Sequence, residues 1–410
     1  MVHRWKVAPG GDRLEPRAVR PGLARSLRTE APLDPIYLDH NATTPVHPAV
    51  VEAMLPYLRE HFGNPSSGHV YGQRARQAIT RAREQVAGLL GCQPDEILFT
   101  SGGTEANNLA IRGLLELAGP RRHILTSTVE HPATARPCEL LERRGIEVTR
   151  LPVDGAGRVQ VEAARAGVRA DTALVTVMLA QNETGTLMPI AALAGLAHER
   201  GGRIHTDAAQ AVGKLATRVD ALGVDLLSIA GHKLYAPKGV GALYVRRGLA
   251  LAPVLLGAGH ERGLRPGTEN VASIVGLGAA CALAAGDLAS ESERQRGLRD
   301  ALWELLRAEI PGLALNGHPL ERLPNTLNVS FPGARGSAVL AATEQVAAST
   351  GSACHAGSET ASAVLTAMGR DAATALGAVR LSLGRSTTPA QVEAAARALV
   401  RGWAAARASA

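Results

Sequence analysis

The chain has 410 residues, 46% of them hydrophobic, which is enough to bury a large core and to form two domains. Its net charge is +7, only four of its 44 basic residues are lysines, and no apolar run approaches the roughly 20 residues that a membrane-spanning helix needs. Its four cysteines are widely separated and form no CxxC pair, so composition predicts neither a disulfide framework nor a zinc site and favours a reducing cytoplasm.

The segment 1–34 is rich in proline, glycine and arginine and has no apolar periodicity, which predicts a disordered extension. It holds seven basic and four acidic side chains, whereas a transit peptide would be poorer in acidic residues. The charge that remains on the other 376 residues is too dilute to predict direct binding to nucleic acid.

From residue 36 onward, short apolar runs alternate with segments of helical length. Buried strands are predicted at 96–100, 123–128, 173–180, 203–209, 225–230 and 241–245. Helices such as 105–117 and 190–200 lie between them, and this alternation predicts an α/β domain with a largely parallel sheet. Towards the C-terminus a charged helix at 291–310, a short strand at 326–331 and further helices predict a second domain.

The stretch FTSGGTEANN (99–108) ends a predicted strand with a Ser-Gly-Gly turn, after which Thr104 begins a helix. Free backbone N–H groups and the helix dipole suit such a turn to phosphate binding, although many such turns serve only as helix caps. The turn matches neither GxGxxG nor a P-loop, so neither a dinucleotide nor ATP is favoured. EHPA (130–133), QNETG (181–185) and TDAAQ (206–210) follow other predicted strands and are expected at the same edge of the sheet.

Lys233 follows a buried strand in SIAGHKLYAPKG (228–239), in a chain that uses arginine almost everywhere else. A lysine amine can lose its proton and form a Schiff base, which a guanidinium cannot. Asp207, just past another strand, is either a helix N-cap or the partner of a positively charged ring nitrogen. A phosphate-binding turn, an acid for a ring nitrogen and a Schiff-base lysine together predict a pyridoxal phosphate (PLP) site.

A series of motifs occurs in order between residues 36 and 390: YLDHNATTP, FTSGGTEANN, EHPA, NETG, HTDAAQAVGK, GHKLYAPKG, RPGTEN, GSAC and RLSLGRSTT. In sequence and spacing they resemble the cysteine desulfurases and selenocysteine lyases, PLP enzymes of the class V aminotransferase group. The resemblance implies the PLP-dependent transferase fold of type I, an α/β fold whose large domain, at 47–290, has a mainly parallel seven-stranded sheet. A smaller α+β domain, formed by 35–46 and 291–410, is expected to carry a catalytic cysteine loop.

The resemblance assigns the centre of the site to four residues. Lys233 matches the lysine that forms the Schiff base with PLP, and Asp207 matches the acid that pairs with the pyridine nitrogen. His131 is expected to stack on the ring and to take part in proton transfer. Gln210 is expected to hydrogen-bond the ring's hydroxyl oxygen.

The resemblance also implies how the phosphate is held. Gly103, Thr104 and His232 are expected to bind it, helped by Thr268 of the partner subunit in a homodimer. Many relatives carry a further phosphate-binding serine at the position of Ala230, so the sequence leaves that role unassigned.

The segment TGSACHAGSE (350–359) places Cys354 among glycine, serine and alanine, whereas a core cysteine usually lies among larger apolar residues. These small residues predict an exposed loop, which suits a thiolate that takes sulfur from a substrate as a persulfide and passes it on. The implied substrate is L-cysteine, whose carboxylate Asn182 and Arg380 are expected to bind, with Asn182 also contacting the cofactor. The implied acceptor is a sulfur-carrying or iron–sulfur scaffold protein.

Three other functions fit part of the sequence. A selenocysteine lyase, which releases selenide from L-selenocysteine, shares ACH and RLSLGRSTT, but those enzymes carry an acid where this chain has Pro132, which favours cysteine. An aminotransferase for another amino acid would leave Cys354 without a function. A catalytically silent scaffold for sulfur carriers would need neither Lys233 nor Asp207.

Overall fold

Strands and helices alternate through the part of the chain that the computed structural model describes, residues 34–350 and 360–408. The strands are β1 (Ile36–Tyr37), β2 (Ile97–Thr100), β3 (His123–Ser127), β4 (Glu147–Leu151), β5 (Thr172–Thr176), β6 (Arg203–Asp207), β7 (Leu226–Ala230), β8 (Gly241–Val245), β9 (Ala314–Asn316), β10 (Thr326–Ser330), β11 (Val346–Ala347) and β12 (Ala378–Ser382). The α-helices are α1 (Pro48–Arg59), α2 (Val70–Leu90), α3 (Gly103–Glu116), α4 (Pro132–Glu142), α5 (Val161–Gly167), α6 (Ile190–Glu199), α7 (Val219–Leu222), α8 (Val271–Glu309), α9 (Gly336–Ala341), α10 (Ala363–Ala367), α11 (Ala372–Leu376) and α12 (Pro389–Ala408). The disordered extension over 1–34 stays a prediction, because residues 1–33 lie outside this range.

Seven strands form one sheet in the order β2-β8-β7-β6-β5-β3-β4. Strand β8 is antiparallel to both of its neighbours and every other neighbouring pair is parallel, so six strands point the same way. The predicted fold class is confirmed, and the six strands predicted for this sheet lie within four residues of their expected ends. Strand β4 is not among the predicted strands, because it is an edge strand whose side chains are partly exposed and it therefore lacks an apolar run.

Both faces of this sheet are covered. Leu174 and Leu226 pack into a hydrophobic cluster with α3 and α4, whereas their chain neighbours Val175 and Leu227 belong to the larger cluster on the other face. Burial on both faces explains why these strands read as continuous apolar runs rather than alternating ones. The charged groups of the motifs lie at or just beyond the strand ends, since Asp207 ends β6 and Lys233 follows β7.

A second set of elements has its own hydrophobic cluster. Strands β12, β10 and β9 form an antiparallel sheet, β1 pairs with β11, and α12 packs against α8 and α9. Leu302, Val329, Leu381 and Leu399 lie at the centre of this cluster. Since Pro35–Ala410 forms one compact unit by its internal contacts, the division of the chain into a large and a small domain stays a prediction.

Helix α8 extends further than the helix predicted at 291–310, because it begins at Val271 and departs from helical geometry only at Asp287 (φ −137°, ψ 16°). An 18-residue stretch of it has a mean hydropathy of 1.8, so by length and composition it is able to cross a membrane. The expectation that no apolar run reaches such a length was therefore wrong. The helix nevertheless packs along α1 and α2, and 44% of the stretch is buried in the protein, as in a core helix.

Candidate active site

Polar motifs meet at the carboxyl edge of the seven-stranded sheet. His131 follows β3, Asn182 lies beyond β5, Asp207 ends β6 and Lys233 follows β7. They surround a cavity of about 70 Å³, lined by Gly103, Thr104, His131, Ala133, Met178, Asn182, Asp207, Ala209, Gln210, Ala230, His232 and Lys233. Eight residues predicted for the site thus share one cavity, while their individual roles stay predictions.

The turn between β2 and α3 reaches the cavity at Gly103 and Thr104. Helix α3 has no side-chain cap, and no described residue accepts a hydrogen bond from the N–H groups of Gly103 and Thr104. Close packing fixes the turn, since a Cβ on Gly241 of β8 would lie 2.7 Å from the Cα of Gly102. The helix N-terminus therefore retains the free N–H groups and the positive dipole end that attract an anion.

The Asp207 carboxylate is held by two hydrogen bonds at the end of β6. Its Oδ2 accepts one from Nδ2 of Asn107 at 2.7 Å, and its Oδ1 accepts one from the backbone N–H of Ala209 at 2.9 Å. Asn107 lies fully buried on α3, and its Oδ1 has no partner among the described residues. The carboxylate is therefore fixed in place without a positively charged side chain hydrogen-bonded to it within the described chain.

Lys233 lies in the 3-10 turn Gly231–Lys233, directly after β7. Burial lowers the pKa of its amine; the negative charge of Asp207 opposes this shift and the positive charge of Arg380 adds to it. None of the described residues accepts a hydrogen bond from its Nζ. The amine consequently reaches its uncharged, nucleophilic form at a lower pH than an exposed lysine does.

His131 is the N-cap residue of α4. Its Nδ1 accepts a hydrogen bond from the backbone N–H of Ala133 at 3.1 Å, so the neutral ring carries its proton on Nε2. Burial lowers the pKa of the imidazole, the charge of Lys233 lowers it further, and Asp207 opposes both. At neutral pH the ring is therefore uncharged and offers one N–H at the cavity.

Glu130 precedes His131 and is not among the residues predicted for the site. Its carboxyl group accepts hydrogen bonds from Oγ of Ser127 at 2.6 Å and from the backbone N–H of Met178 at 3.1 Å. Burial, opposed by the two hydrogen bonds and aided by the charge of Asp207, raises its pKa to about 8. Glu130 is thus mostly protonated at neutral pH.

Arg380 on β12 adjoins the cavity without lining it. Its guanidinium donates to the carbonyl oxygen of Asn182 at 3.0 Å and forms an ion pair with Asp39 at 2.8 Å. Its buried Nε has no partner among the described residues. Arg380 therefore keeps one N–H for a further acceptor beside Asn182, the residue with which it is predicted to bind a carboxylate.

The other predicted residues differ in where they lie. His232 lines the cavity, its Nδ1 is 3.2 Å from Oγ1 of Thr43, and burial together with two nearby lysines lowers its pKa to about 4. Thr268 is exposed and does not line the cavity, so its predicted contact with a partner subunit stays a prediction. Cys354 lies outside the described residues.

A buried amide network that no local sequence pattern reveals lies beside the cavity. Gln210 donates from Nε2 to the carbonyl oxygen of Asn41 at 3.0 Å, and Asn41 donates from Nδ2 to Oγ1 of Thr326 at 2.8 Å and to the carbonyl oxygen of Asn182 at 3.4 Å. Asn41 and Lys214 belong to motifs of the resemblance, which is the one signal that marks them. A local sequence pattern does not reveal their roles, because these partners of Asn41 are 141 to 285 residues away in the sequence.

Comparisons with known proteins place this site in a family context. The model of the family described as aminotransferase class-V matches residues 36–395. The cysteine desulfurase of Trichormus azollae is 48% identical over 360 residues, which cover 87% of this chain and 90% of that protein. A solved structure of a NifS-like protein has a TM-score of 0.84 at 36% identity and covers 89% of this chain and 98% of its own. SspA in complex with cysteine has a TM-score of 0.76 at 38% identity and covers 85% and 98%.

Proposed function

The chain belongs to the class V aminotransferase family, and from this premise we propose that it is a PLP-dependent cysteine desulfurase. The proposed reaction converts L-cysteine into L-alanine and leaves the sulfur on Cys354 as a persulfide. The observation that carries the proposal is the meeting of Lys233, Asp207, His131 and an uncapped helix N-terminus in one cavity, in a chain that is 48% identical to a cysteine desulfurase.

The donor set of the cavity fits PLP, which presents a phosphate, a ring nitrogen and an aldehyde to its protein. The N-terminus of α3 offers free N–H groups to an anion, Asp207 offers a fixed carboxylate to a protonated ring nitrogen, and Lys233 offers an amine to the aldehyde. The absence of a side chain at Gly103 also matters, since a Cβ there would lie 3.3 Å from the Cβ of Ala230. Any larger residue would narrow the cavity at the end proposed for the phosphate.

PLP, when bound, supplies an electron sink for the bond that breaks at the substrate's α-carbon. The protein maintains that property through Asp207, whose carboxylate favours the protonated form of a nearby ring nitrogen. Gln210 holds one amide N–H against the carbonyl oxygen of Asn41 and has a second N–H to donate to the ring's hydroxyl oxygen.

Lys233 and His131 are the groups that we assign to proton transfer. Burial lowers the pKa of both side chains, which increases the neutral fraction of each at a given pH. The uncharged amine of Lys233 accepts a proton, while the neutral ring of His131 holds one on Nε2. One cavity thus contains both a proton acceptor and a proton donor.

The substrate's carboxylate is assigned to Asn182 and Arg380. The buried Nε of Arg380 has no partner among the described residues, and a guanidinium binds a carboxylate most strongly with two parallel N–H donors. Because Asp39 already pairs with one nitrogen of the guanidinium, the substrate competes with Asp39 for bidentate binding.

Cys354 is proposed to take the sulfur. Its thiolate attacks the substrate's sulfur, so that an S–S bond forms and the bond between that sulfur and Cβ breaks. The electron pair of the broken bond stays with Cβ, which gains a proton and becomes the methyl group of alanine, while the Cys354 sulfur is oxidised to the persulfide level. The other cysteines suit this step poorly, since burial raises the pKa of Cys92, Cys138 and Cys281 to about 12.

The proposal includes a cytoplasmic homodimer that passes its sulfur to an acceptor such as an iron–sulfur scaffold protein. Thr268 is exposed. A residue that completes the phosphate site of a partner subunit has to be exposed when its own chain is considered alone. Leu256, twelve residues earlier, is 87% exposed, which suits a position covered by a second subunit.

Incubation of the purified protein with L-cysteine tests the proposal. We expect alanine to form and the peptide that contains Cys354 to gain one sulfur atom by mass spectrometry. Cys354→Ala is expected to lower alanine formation by roughly a hundredfold or more while the visible absorbance of bound PLP persists. Cys92→Ala, the matched control, is expected to retain both.

Two outcomes contradict the proposal: a wild-type protein that takes up no PLP, and a Cys354→Ala variant that forms alanine as fast as the control. Measuring L-selenocysteine turnover in parallel separates the desulfurase from a selenocysteine lyase, which would use L-selenocysteine far faster than L-cysteine.

A further inference from the structure

Lys214 is a buried lysine for which the proposed reaction has no use. It follows Gln210 by four residues in a tight turn, and it is one of only four lysines in the chain. Gly213, with φ of +77°, turns the chain directly before it, and a Cβ at that position would lie 1.9 Å from Cδ1 of Leu234. The backbone therefore requires glycine at 213 and places Lys214 in the interior beside Gln210.

The amine of Lys214 has two amide oxygens as partners. Nζ donates to Oε1 of Gln210 at 3.2 Å and to Oδ1 of Asn41 at 3.4 Å. No described carboxylate lies within ion-pair distance of it. A buried ammonium normally has a negatively charged partner, so a lysine with only neutral partners calls for an explanation other than ion pairing.

The explanation lies in the direction of the hydrogen bonds. Two N–H groups of Lys214 point at two amide oxygens, and this orients both amides. The nitrogen of Gln210 then faces the carbonyl oxygen of Asn41 at 3.0 Å, and the nitrogen of Asn41 faces Oγ1 of Thr326 at 2.8 Å. If the Gln210 amide were flipped, its oxygen would face the carbonyl oxygen of Asn41 and its nitrogen would face the Lys214 amine.

We propose that Lys214 is a positioning residue that fixes the Gln210 amide so that its second N–H is available to the cavity as a hydrogen-bond donor. The inference rests on the proposed function, because the acceptor of that N–H is the hydroxyl oxygen of bound PLP. Lys214 does not line the cavity and therefore acts on the cofactor through Gln210.

The role holds in either protonation state of the amine. Burial, together with the positive charges of Lys233 and Arg380, lowers the pKa of Lys214 to about 7. A neutral amine still has two N–H groups, enough for both amide oxygens, and an ammonium has three. The orientation of Gln210 is thus independent of the charge on Lys214.

The test measures PLP affinity and the visible spectrum of the variants, with the holoenzyme as reference. Lys214→Met removes the donors and is expected to weaken PLP binding roughly tenfold and to shift the pH at which the visible absorbance changes. Lys214→Gln supplies an amide NH₂ for the same oxygens and is expected to stay within about threefold of wild type. Arg401→Met, which removes an exposed positive charge from α12, is the control and is expected to change neither property.

A double-mutant cycle separates positioning from a merely structural role. In a Gln210→Ala background, Lys214→Met is expected to weaken PLP binding no further, since it acts through the amide that is absent. The inference is overturned if Lys214→Met binds PLP as tightly as the Arg401→Met control, if its effect adds fully to that of Gln210→Ala, or if Lys214→Gln weakens PLP binding tenfold. If Lys214→Met does not fold, the PLP affinity of Lys214→Gln tests the inference by itself. A wild-type protein without PLP uptake would instead refute the proposed function.

Discussion

The two ends of the seven-stranded sheet use similar polar residues in different ways. At the amino end, His123 is hydrogen-bonded on both ring nitrogens, by Thr172 at 2.8 Å and by Thr149 at 2.9 Å. Asp225 at the same end accepts from the N–H of Ile204 at 2.9 Å and also pairs with two basic side chains, His198 at 2.8 Å and Arg246 at 3.2 Å. These groups have partners within the chain.

At the carboxyl end, several groups lack such partners. Among the described residues, no acceptor lies against Nζ of Lys233, the first N–H groups of α3 or Nε of Arg380, and no donor lies against Oδ1 of Asn107. Buried polar groups in native proteins are normally hydrogen-bonded, so groups without partners at one location indicate a ligand.

At the amino end, the carboxylate of Asp225 is paired with basic side chains and both ring nitrogens of His123 are hydrogen-bonded. At the carboxyl end, Asp207 has only neutral hydrogen-bond donors among the described residues and His131 uses only Nδ1, which leaves a negative charge and one N–H available for chemistry.

Removing the charge of Asp207 at the carboxyl end is expected to have the greatest consequence for catalysis. Asp207→Asn keeps the shape of the side chain but removes the charge that we assign to the ring nitrogen of PLP. Losing one partner of a buried charge pair destabilises it by about 3–5 kcal/mol, so alanine formation is expected to fall roughly a thousandfold. Steady-state assays at saturating PLP measure this effect, and turnover within tenfold of wild type would contradict the assignment.

The same substitution at the amino end is expected to affect stability instead. Asp225→Asn leaves His198 and Arg246 without their carboxylate, and the free energy of unfolding is expected to fall by about 2–3 kcal/mol. Turnover per folded molecule is expected to stay within about threefold of wild type, because Asp225 does not line the cavity. Urea unfolding and an assay at low temperature measure both quantities, and a catalytic loss as large as that of Asp207→Asn would remove the distinction between the two ends.

The comparison also explains how much of the molecule the sequence predicts. The strands and the residues after them are predictable, because buried strands are apolar runs and parallel strands bring their carboxyl ends together. Edge strand β4 is not predictable in this way, since its side chains are partly exposed. The first half of α8 is not predicted either, since the helix continues across a predicted domain boundary. The contacts of Asn107, Glu130 and Lys214 depend on residues distant in sequence, so no local pattern reveals them.

The buried carboxyl group of Glu130, at the carboxyl end, is expected to make stability depend on pH. The pKa of Glu130 is raised to about 8 in the folded protein, so between its ordinary value and pH 8 the folded state holds a proton that the unfolded state has lost. Its contribution to stability is therefore complete at low pH, decreases as the pH rises towards 8, and is lost above that. Glu130→Gln carries no such proton, so the stability of the wild type relative to this variant is expected to fall between about pH 5 and 8. Urea unfolding across that range measures the difference, and parallel profiles would contradict a buried, protonated carboxyl group.

A single hydroxyl added at each end of the sheet is expected to act on a different property at each end. Ala230→Ser places a hydroxyl beside the N-terminus of α3, where the phosphate of PLP is proposed to bind, and is expected to slow PLP dissociation by roughly threefold to tenfold, since one hydrogen bond contributes about 1 kcal/mol. Ala173→Ser, on β5 nearer the amino end, buries a hydroxyl among apolar side chains of the α3 face and is expected to lower stability by about 1–3 kcal/mol without changing PLP release. Absorbance-monitored PLP release and urea unfolding distinguish the two. If Ala230→Ser released PLP faster than wild type, the cavity beside Ala230 would be too narrow for a further donor, and the N-terminus of α3 would already satisfy the phosphate alone.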